Sequence, residues 1–481
     1  MPGQAPHLLL APLYTMGLAV DSMAWACSVS PSKLAQPRLE NAMPAPAPLD
    51  ALHRDHLRQL TQRYQAALAT EQLAGVVLLA GEPAFHFLDD TTASWKPNPH
   101  FSLFAPLPDA AGSAVLVPAE GEVVLLHLQP EDFWHAPPKA PKGPWLDALR
   151  LKTVTEEAER DQEIARWSAA QHGPVVTLGP GQRDPAGFRA RVDFARAQKT
   201  PYELACLRAA NGLAVKGHRA VQAGFEAGES EFALHLRYLA ATGHEDHELP
   251  YTNIIGLDER GAILHYHHRH REAGPGESLL IDAGASYAGY AADITRSYAR
   301  SPGPFQDLIT AMDALQQGLI AQLRPGVPWP AMQTACMDAL AGVLVESGLA
   351  TASKEAVLDA GLPECFMPHG LGHLLGIQVH DAGGQLADAS GTLAPPPAQH
   401  PALRLTRTLE EDVVVTVEPG LYFIPRFLKT LREGPHRNLL NWPLVEALTP
   451  YGGIRIEDNV RITADGVENF TRDAFAAEAS L

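Results

Sequence analysis

Four acidic residues in the second half of this chain each stand at the end of an apolar, strand-like run. Residues 278–281 lead into Asp282, Ala291 and Ala292 into Asp293, residues 413–417 into Glu418, and residues 454–456 into Glu457. This feature restricts the fold more than any other, because carboxylates in apolar surroundings are prohibitively costly to bury unless a cation neutralises them. Gly284, Gly289 and a Ser-Tyr turn separate the first two acids, so neighbouring antiparallel strands can present both to one site. Pro419 and Gly420 stop the third strand directly beside Glu418. In the fourth run a period of two puts Ile454 and Ile456 on one face and Arg455 with Glu457 on the other, so a cation and an acid share one wall.

Histidines complete the set. The stretch from Pro368 to Gly376 carries His369 and His373, and His380-Asp381 follows shortly after. The spacing of the first pair is that of helical zinc sites, but the Glu after the first His is missing and three glycines disfavour a helix. A loop or strand bearing histidines is the better reading. One His with four carboxylates is a hard, oxygen-rich donor set that favours Mn, Co or Fe over a Cys-type zinc site and can hold two divalent ions. Two such ions would acidify a water between them to hydroxide, so the expected chemistry is hydrolysis. Plainer readings compete residue by residue. A single Asp at a strand end is ordinarily a turn former or helix cap. Arg455 can serve as a structural partner of Asp458 or Glu457. In LHYHHRHRE (264–272) most histidines read as a solvated loop, with His265 alone placed inside, after Ile263 and Leu264. Cys365 reads as a packed thiol.

The 481 residues allow two or three domains. Residues 1–43 read as an extension, with Met43 as the working start. Within it the apolar stretch 7–20 lacks the length to span a membrane and lacks a basic flank, since the first cation is Lys33. Export is the minority alternative to a cytoplasmic location. Residues 44–195 read as a mixed α/β domain: a helix over 50–68, strands near 75–80, 114–118, 123–128 and 175–178, and a hairpin loop at 119–122. No phosphate-cradling glycine loop is found there. A boundary falls near 195, where Thr200, Pro201 and Glu203 form a capping box that opens a long helix. Further helices are expected near 230–242, 305–323 and 331–348, and a surface loop at 393–401. The class is α/β (α+β). A formal charge of -18 without basic clusters argues against nucleic-acid binding. Cys27, Cys206, Cys336 and Cys365 form no CxxC pair, which fits a reducing compartment.

Taken together, LLIDAG, AADITRSY, PHGLGHLLGIQVHD, VEPGLYF and GGIRIEDNV, in that order, resemble the pita-bread metallopeptidases, and within them the bacterial prolidases with the related organophosphorus acid anhydrolases. FLDD (87–90), YTNIIGLDERGAILHY (251–266) and NWPLVEALTPYGG (441–453) support the same subgroup. The resemblance spans roughly residues 50–475 and implies an N-terminal domain followed by a pita-bread catalytic domain over 196–481. It implies a dinuclear site, usually manganese but open to Co, Fe or Zn, held by Asp282, Asp293, His373, Glu418 and Glu457. It also implies His369, His380 and Glu418 as catalytic groups, with Tyr251, His265 and Arg455 lining the substrate pocket. Asp90 would close the pocket of a partner in a homodimer. The implied reaction is hydrolysis of Xaa-Pro dipeptides with a free carboxylate through a metal-bridging hydroxide, with a side activity on organophosphorus triesters. Leu374 departs from the pattern, which carries Pro there. Two competing functions are an aminopeptidase acting on longer peptides and a metal-free peptide-binding module; five intact ligands count against the second.

Overall fold

The computed structural model describes residues 46–480, so the expectations for residues 1–43 lie outside the described residues. The chain builds two lobes. In the first, helix α1 (Pro46–Thr70) is followed by β1 (Gly75–Leu79), α2 (Pro99–Phe104), β2 (Ala114–Pro118), β3 (Val124–Leu128), β4 (Arg150–Val154), α3 (Glu157–Ala169), β5 (Val175–Leu178) and α4 (Ala186–Ala195). The five strands form one sheet in the order β4-β3-β2-β1-β5, with β1–β2 and β2–β3 antiparallel and the outer pairs parallel. Alternation decides which face each residue serves. Val76, Leu78, Val115 and Leu125 pack with Leu57, Tyr64 and Leu68 of α1, while Val77, Leu116 and Leu126 meet Ile164 and Trp167 of α3.

The second lobe opens with α5 (Pro201–Glu226). The expected capping box is present: Thr200 accepts from the Glu203 amide, and the Glu203 carboxylate accepts from the Thr200 amide at 2.8 Å. α6 (Glu231–Thr242) packs beside it. There follow β6 (Ile254–Leu257), β7 (Ser278–Asp282), the short hairpin β8 (Ser286–Tyr287) and β9 (Tyr290–Ala291), β10 (Thr295–Ala299), α7 (Pro304–Ile320) and α8 (Trp329–Glu346). The last strands are β11 (Val414–Val417), β12 (Gly420–Tyr422), β13 (Gly453–Arg455), β14 (Asp458–Ile462) and β15 (Val467–Asn469). β7 is central between antiparallel β10 and β6, and β14 is central between β11 and β15. The bridge from Thr295 to Glu457 joins the two sheets at the ends that carry the acids.

The lobes share a core. Leu60, Phe104 and Val192 from the first pack in one cluster with Tyr202, Leu207, Leu375 and Val414 from the second. Residues 393–401 are a loop without regular structure, as expected. Among the described residues no helix is long and apolar enough to cross a membrane.

Candidate active site and metal centre

Strand register gathers the acids. Asp282 ends β7 opposite Thr295, the first residue of β10, and Asp293 lies two residues before that strand. The same end of one sheet therefore presents both carboxylates, although Ala291 and Ala292 belong to the small hairpin and its exit, not to a long strand. Glu418 follows β11, and Glu457 links β13 to β14. The histidine segment is extended along β11: the Thr416 amide donates to the His373 carbonyl at 3.0 Å and the Glu418 amide to the Leu371 carbonyl at 2.8 Å. Gly372 permits this approach, since a Cβ there would run into the Thr416 carbonyl. Gly284 is needed for the same reason against the carbonyl of Ala292.

Three of the five expected ligands form one tight group, with Glu418 beside it. One ligand atom each from Asp293, His373 and Glu457 lie within 4.8 Å of one another, and all three residues are buried. His373 Nε2 is 3.4 Å from Asp293 Oδ2 and 3.6 Å from Glu418 Oε1. Asp282 stands against Arg455, whose Nη2 donates to its Oδ2 at 2.5 Å, and accepts from the Tyr251 hydroxyl at 2.7 Å. Burial pushes Glu418 up to about 7 and raises Asp282 and Glu457, with neighbouring carboxylates adding to each. Burial opposes both charges of the His373–Asp293 pair, yet their contact overrides it, holding Asp293 down and His373 up. Three buried carboxylates and the half-buried Glu418, facing one guanidinium and one imidazole, form a centre that lacks positive charge. Divalent ions fit this hard donor set and would supply it.

Arg455 does not pair with Asp458 or Glu457. Asp458 is taken by Arg296 and Arg472, both at 2.7 Å. The Arg455 guanidinium instead meets Asp282, the Tyr422 hydroxyl at 2.9 Å and Thr295 Oγ1 at 3.1 Å. His265 is also placed differently from expectation. It is exposed, and its neighbour Tyr266 is the buried residue, donating to Glu231 Oε2 at 2.8 Å. The alternation of an extended segment turns residues 265 and 267 the other way, with their rings stacked at 6.3 Å.

His369 and His380 differ in what they leave free. His369 Nδ1 lies 2.9 Å from the Gly370 carbonyl, so it carries the proton and donates, and Nε2 accepts from the Tyr422 hydroxyl at 2.9 Å. Both nitrogens are engaged. His380 is exposed, its ring set edge-on to His373 at 4.4 Å. Burial lowers His369 to about 4, helped by Arg455, and His380, open to solvent on one side but desolvated where its ring packs on His373, is lowered as well. Asp90 is exposed on a loop with Phe85, Phe87 and Leu88. Cys365 packs against the large core of the second lobe, as expected of a packed thiol.

Sequence reasoning missed the residues that hold the ligands. Thr295 Oγ1 donates to Glu457 Oε2 at 2.6 Å, and Thr416 Oγ1 accepts from the His373 amide at 3.0 Å. Asn459 grips the Asp293 backbone, accepting from its amide at 2.9 Å and donating to its carbonyl. Tyr422 joins His369 to Arg455. His218 of α5, fully buried, donates from Nε2 to the carbonyl of Ala283 at 3.0 Å, behind Asp282. The only signal was position: Thr295, Tyr422 and Asn459 are polar residues within the motif strings themselves, and Thr416 immediately precedes VEPGLYF.

Comparison with known proteins places this geometry. Residues 205–464 match the family model of metallopeptidase family M24, and residues 51–192 match that of the Xaa-Pro dipeptidase N-terminal domain. The Xaa-Pro dipeptidase of Shewanella piezotolerans is 40% identical over 429 residues, covering 88% of this chain and 98% of the relative. That of Xanthomonas euvesicatoria pv. vesicatoria is 44% identical over 441 residues, covering 90% and 100%. Among solved structures, E. coli aminopeptidase P with the inhibitor Pro-Leu superposes with a TM-score of 0.66 at 21% identity, covering 89% of this chain and 99% of that one, a likeness of fold. The chain belongs to metallopeptidase family M24, among the Xaa-Pro dipeptidases, and is a hydrolase.

Proposed function

We propose that the protein hydrolyses Xaa-Pro dipeptides bearing a free C-terminal carboxylate. The observation that carries this is the contact of Arg455 with Asp282, which sets a carboxylate-reading group one hydrogen bond from the donor set. A guanidinium has five N–H donors. Three are used, by Asp282, Tyr422 and Thr295, which leaves one on each terminal nitrogen, the fork that a carboxylate takes. An Xaa-Pro bond suits a dedicated site, since proline lacks the N–H and fixes φ.

Asp282, Asp293, His373, Glu418 and Glu457 would hold two divalent ions, manganese by our reading. Such ions would supply Lewis acidity and acidify the attacking water. Glu418, beside His373, would take the proton of the attacking water and pass it to the prolyl nitrogen, which leaves poorly until protonated. His380 has the free ring edge to donate to the developing oxyanion. His369, with both nitrogens engaged, instead orients Tyr422 and so Arg455. Tyr251 and His265 line the substrate side. The same chemistry extends to phosphorus, so organophosphorus triesters are a second substrate class to assay.

The domain division we propose is 44–195 and 196–481. The exposed loop with Asp90, Phe87 and Leu88 supports pairing with a second copy, and Cys206, Cys336 and Cys365, all free thiols, support a cytoplasmic location. The test is a panel of an Xaa-Pro dipeptide, its C-terminal amide and an Xaa-Pro tripeptide, with and without added Mn. The dipeptide should be strongly preferred, and Arg455→Lys, which keeps the charge beside Asp282 but loses the fork, should cut discrimination against the amide by about 10- to 100-fold. Preference for the tripeptide would favour an aminopeptidase instead.

A further inference from the structure

The site account leaves one fully buried ion cluster unused. Asp381 follows His380, its side chain is 1% exposed, and it lies between two cations from the linker that joins the lobes. Lys199 Nζ donates to Asp381 Oδ2 at 2.6 Å and to the Arg196 carbonyl at 2.7 Å. Arg196 Nη2 donates to Asp381 Oδ1 and, at 3.0 Å, to Gln378 Oε1. The Asp381 amide donates to the Leu374 carbonyl at 2.9 Å, closing the segment into a loop. Gly376 makes room, because a Cβ there would strike both the Asp381 carboxylate and Lys199 Nζ.

The cluster is nearly balanced in charge. Asp193 lies 3.7 Å from Arg196, so Asp193 and Asp381 face Arg196 and Lys199. Arg189 also reaches Asp193 at 3.0 Å from a side chain that is 42% exposed. Buried pairs of this kind contribute little net stability against an apolar replacement, and their best-attested use is to fix one arrangement. Here the arrangement fixed is the backbone beneath His380, which lies on an exposed loop and would otherwise be free to move. A donor to an oxyanion must be held within a fraction of an ångström, and misplacement by about 1 Å costs on the order of 100-fold. The linker is itself anchored: the Lys199 amide donates to the Asp412 carbonyl at 2.9 Å, just before β11.

We infer that Asp381, locked between Arg196 and Lys199, is a positioning residue for His380, and that the linker between the lobes thereby sets catalytic geometry. This rests on the reading of His380 as the oxyanion donor. The test compares kcat and KM on an Xaa-Pro dipeptide for full-length, Mn-loaded wild type, Asp381→Asn, His380→Ala and the double variant, with bound Mn counted in each. Asp381→Asn should lower kcat by about 10- to 100-fold at a KM within about twofold of wild type and with unchanged Mn content. The double variant should be no slower than His380→Ala, because the two residues act as one unit. Multiplying losses, wild-type kcat in Asp381→Asn, or a loss explained by missing Mn would overturn the inference alone. Wild-type kcat in His380→Ala would overturn the His380 assignment and the inference with it. Should Asp381→Asn not fold, Lys199→Met with Asp381→Asn removes one charge of each sign and carries the same comparison.

Discussion

The first lobe buries a group of neutral histidines, whereas the second gathers acids around the site. In the first, His53, His56, His100 and His127 are all buried and all pushed below the ordinary histidine value, burial being the largest cause in each. In the second, Asp282, Glu418 and Glu457 are pushed upward, again by burial first. The physical cause is shared, yet the consequences differ. A histidine can be buried neutral at ordinary pH, so His53 simply stacks on Tyr202 at 4.1 Å and His56 bridges Thr200 and the Leu103 carbonyl. An acid so buried must either hold a proton or meet a cation. A buried histidine held neutral therefore reads as packing, whereas buried acids clustered around a histidine read as a site.

The larger effect expected from this contrast concerns metal. The folded, metal-free protein keeps a proton on Glu418 above its usual 4.5, which the unfolded chain releases. Its stability is therefore lost as pH rises toward 7, at up to about 1.4 kcal/mol per pH unit per group. Metal binding displaces those protons and so strengthens with pH. Added Mn should raise Tm by several degrees at pH 7.5 and by markedly less at pH 5.5, measured by calorimetry on chelator-stripped protein. An equal or inverted shift would break the contrast.

The smaller effect lies in the first lobe. Burial lowers His53 to about 3, so from about pH 6.5 downward the unfolded chain takes up a proton that the fold refuses, and stability falls with acid. Among the described residues His53 Nε2 has no partner, so His53→Phe keeps the stack on Tyr202 and gives up no bond to them at that atom. Between pH 7 and 5 the variant should lose less stability than wild type, by about 1–2 kcal/mol in denaturant unfolding. A variant that tracks wild type would mean His53 is protonated in the fold.

Much of the site was legible because strand ends are local features. Glu418 before Pro419-Gly420 and the alternation of Arg455 with Glu457 can be read within a few residues. What escaped reading depends on register between distant strands. Thr295 meets Glu457, and Asn459 meets Asp293, only once two sheets are joined. The same holds for Asp381, whose partners lie over 180 residues earlier. His265 shows the limit of local reading most plainly: apolar neighbours at 263 and 264 suggested burial, but Glu231 selects Tyr266 for the interior through its hydroxyl.

By our proposal Asp282, Asp293, His373, Glu418 and Glu457 hold two ions that hydrolysis requires. The most direct measurement is bound metal per subunit against turnover of an Xaa-Pro dipeptide, in wild type and Asp293→Asn, as stripped protein is titrated with Mn. The account predicts that wild-type turnover rises to its plateau as two ions bind, while Asp293→Asn falls short of two and stays below about 1% of that turnover. Full turnover in stripped protein, or in Asp293→Asn with fewer than two ions, would contradict it.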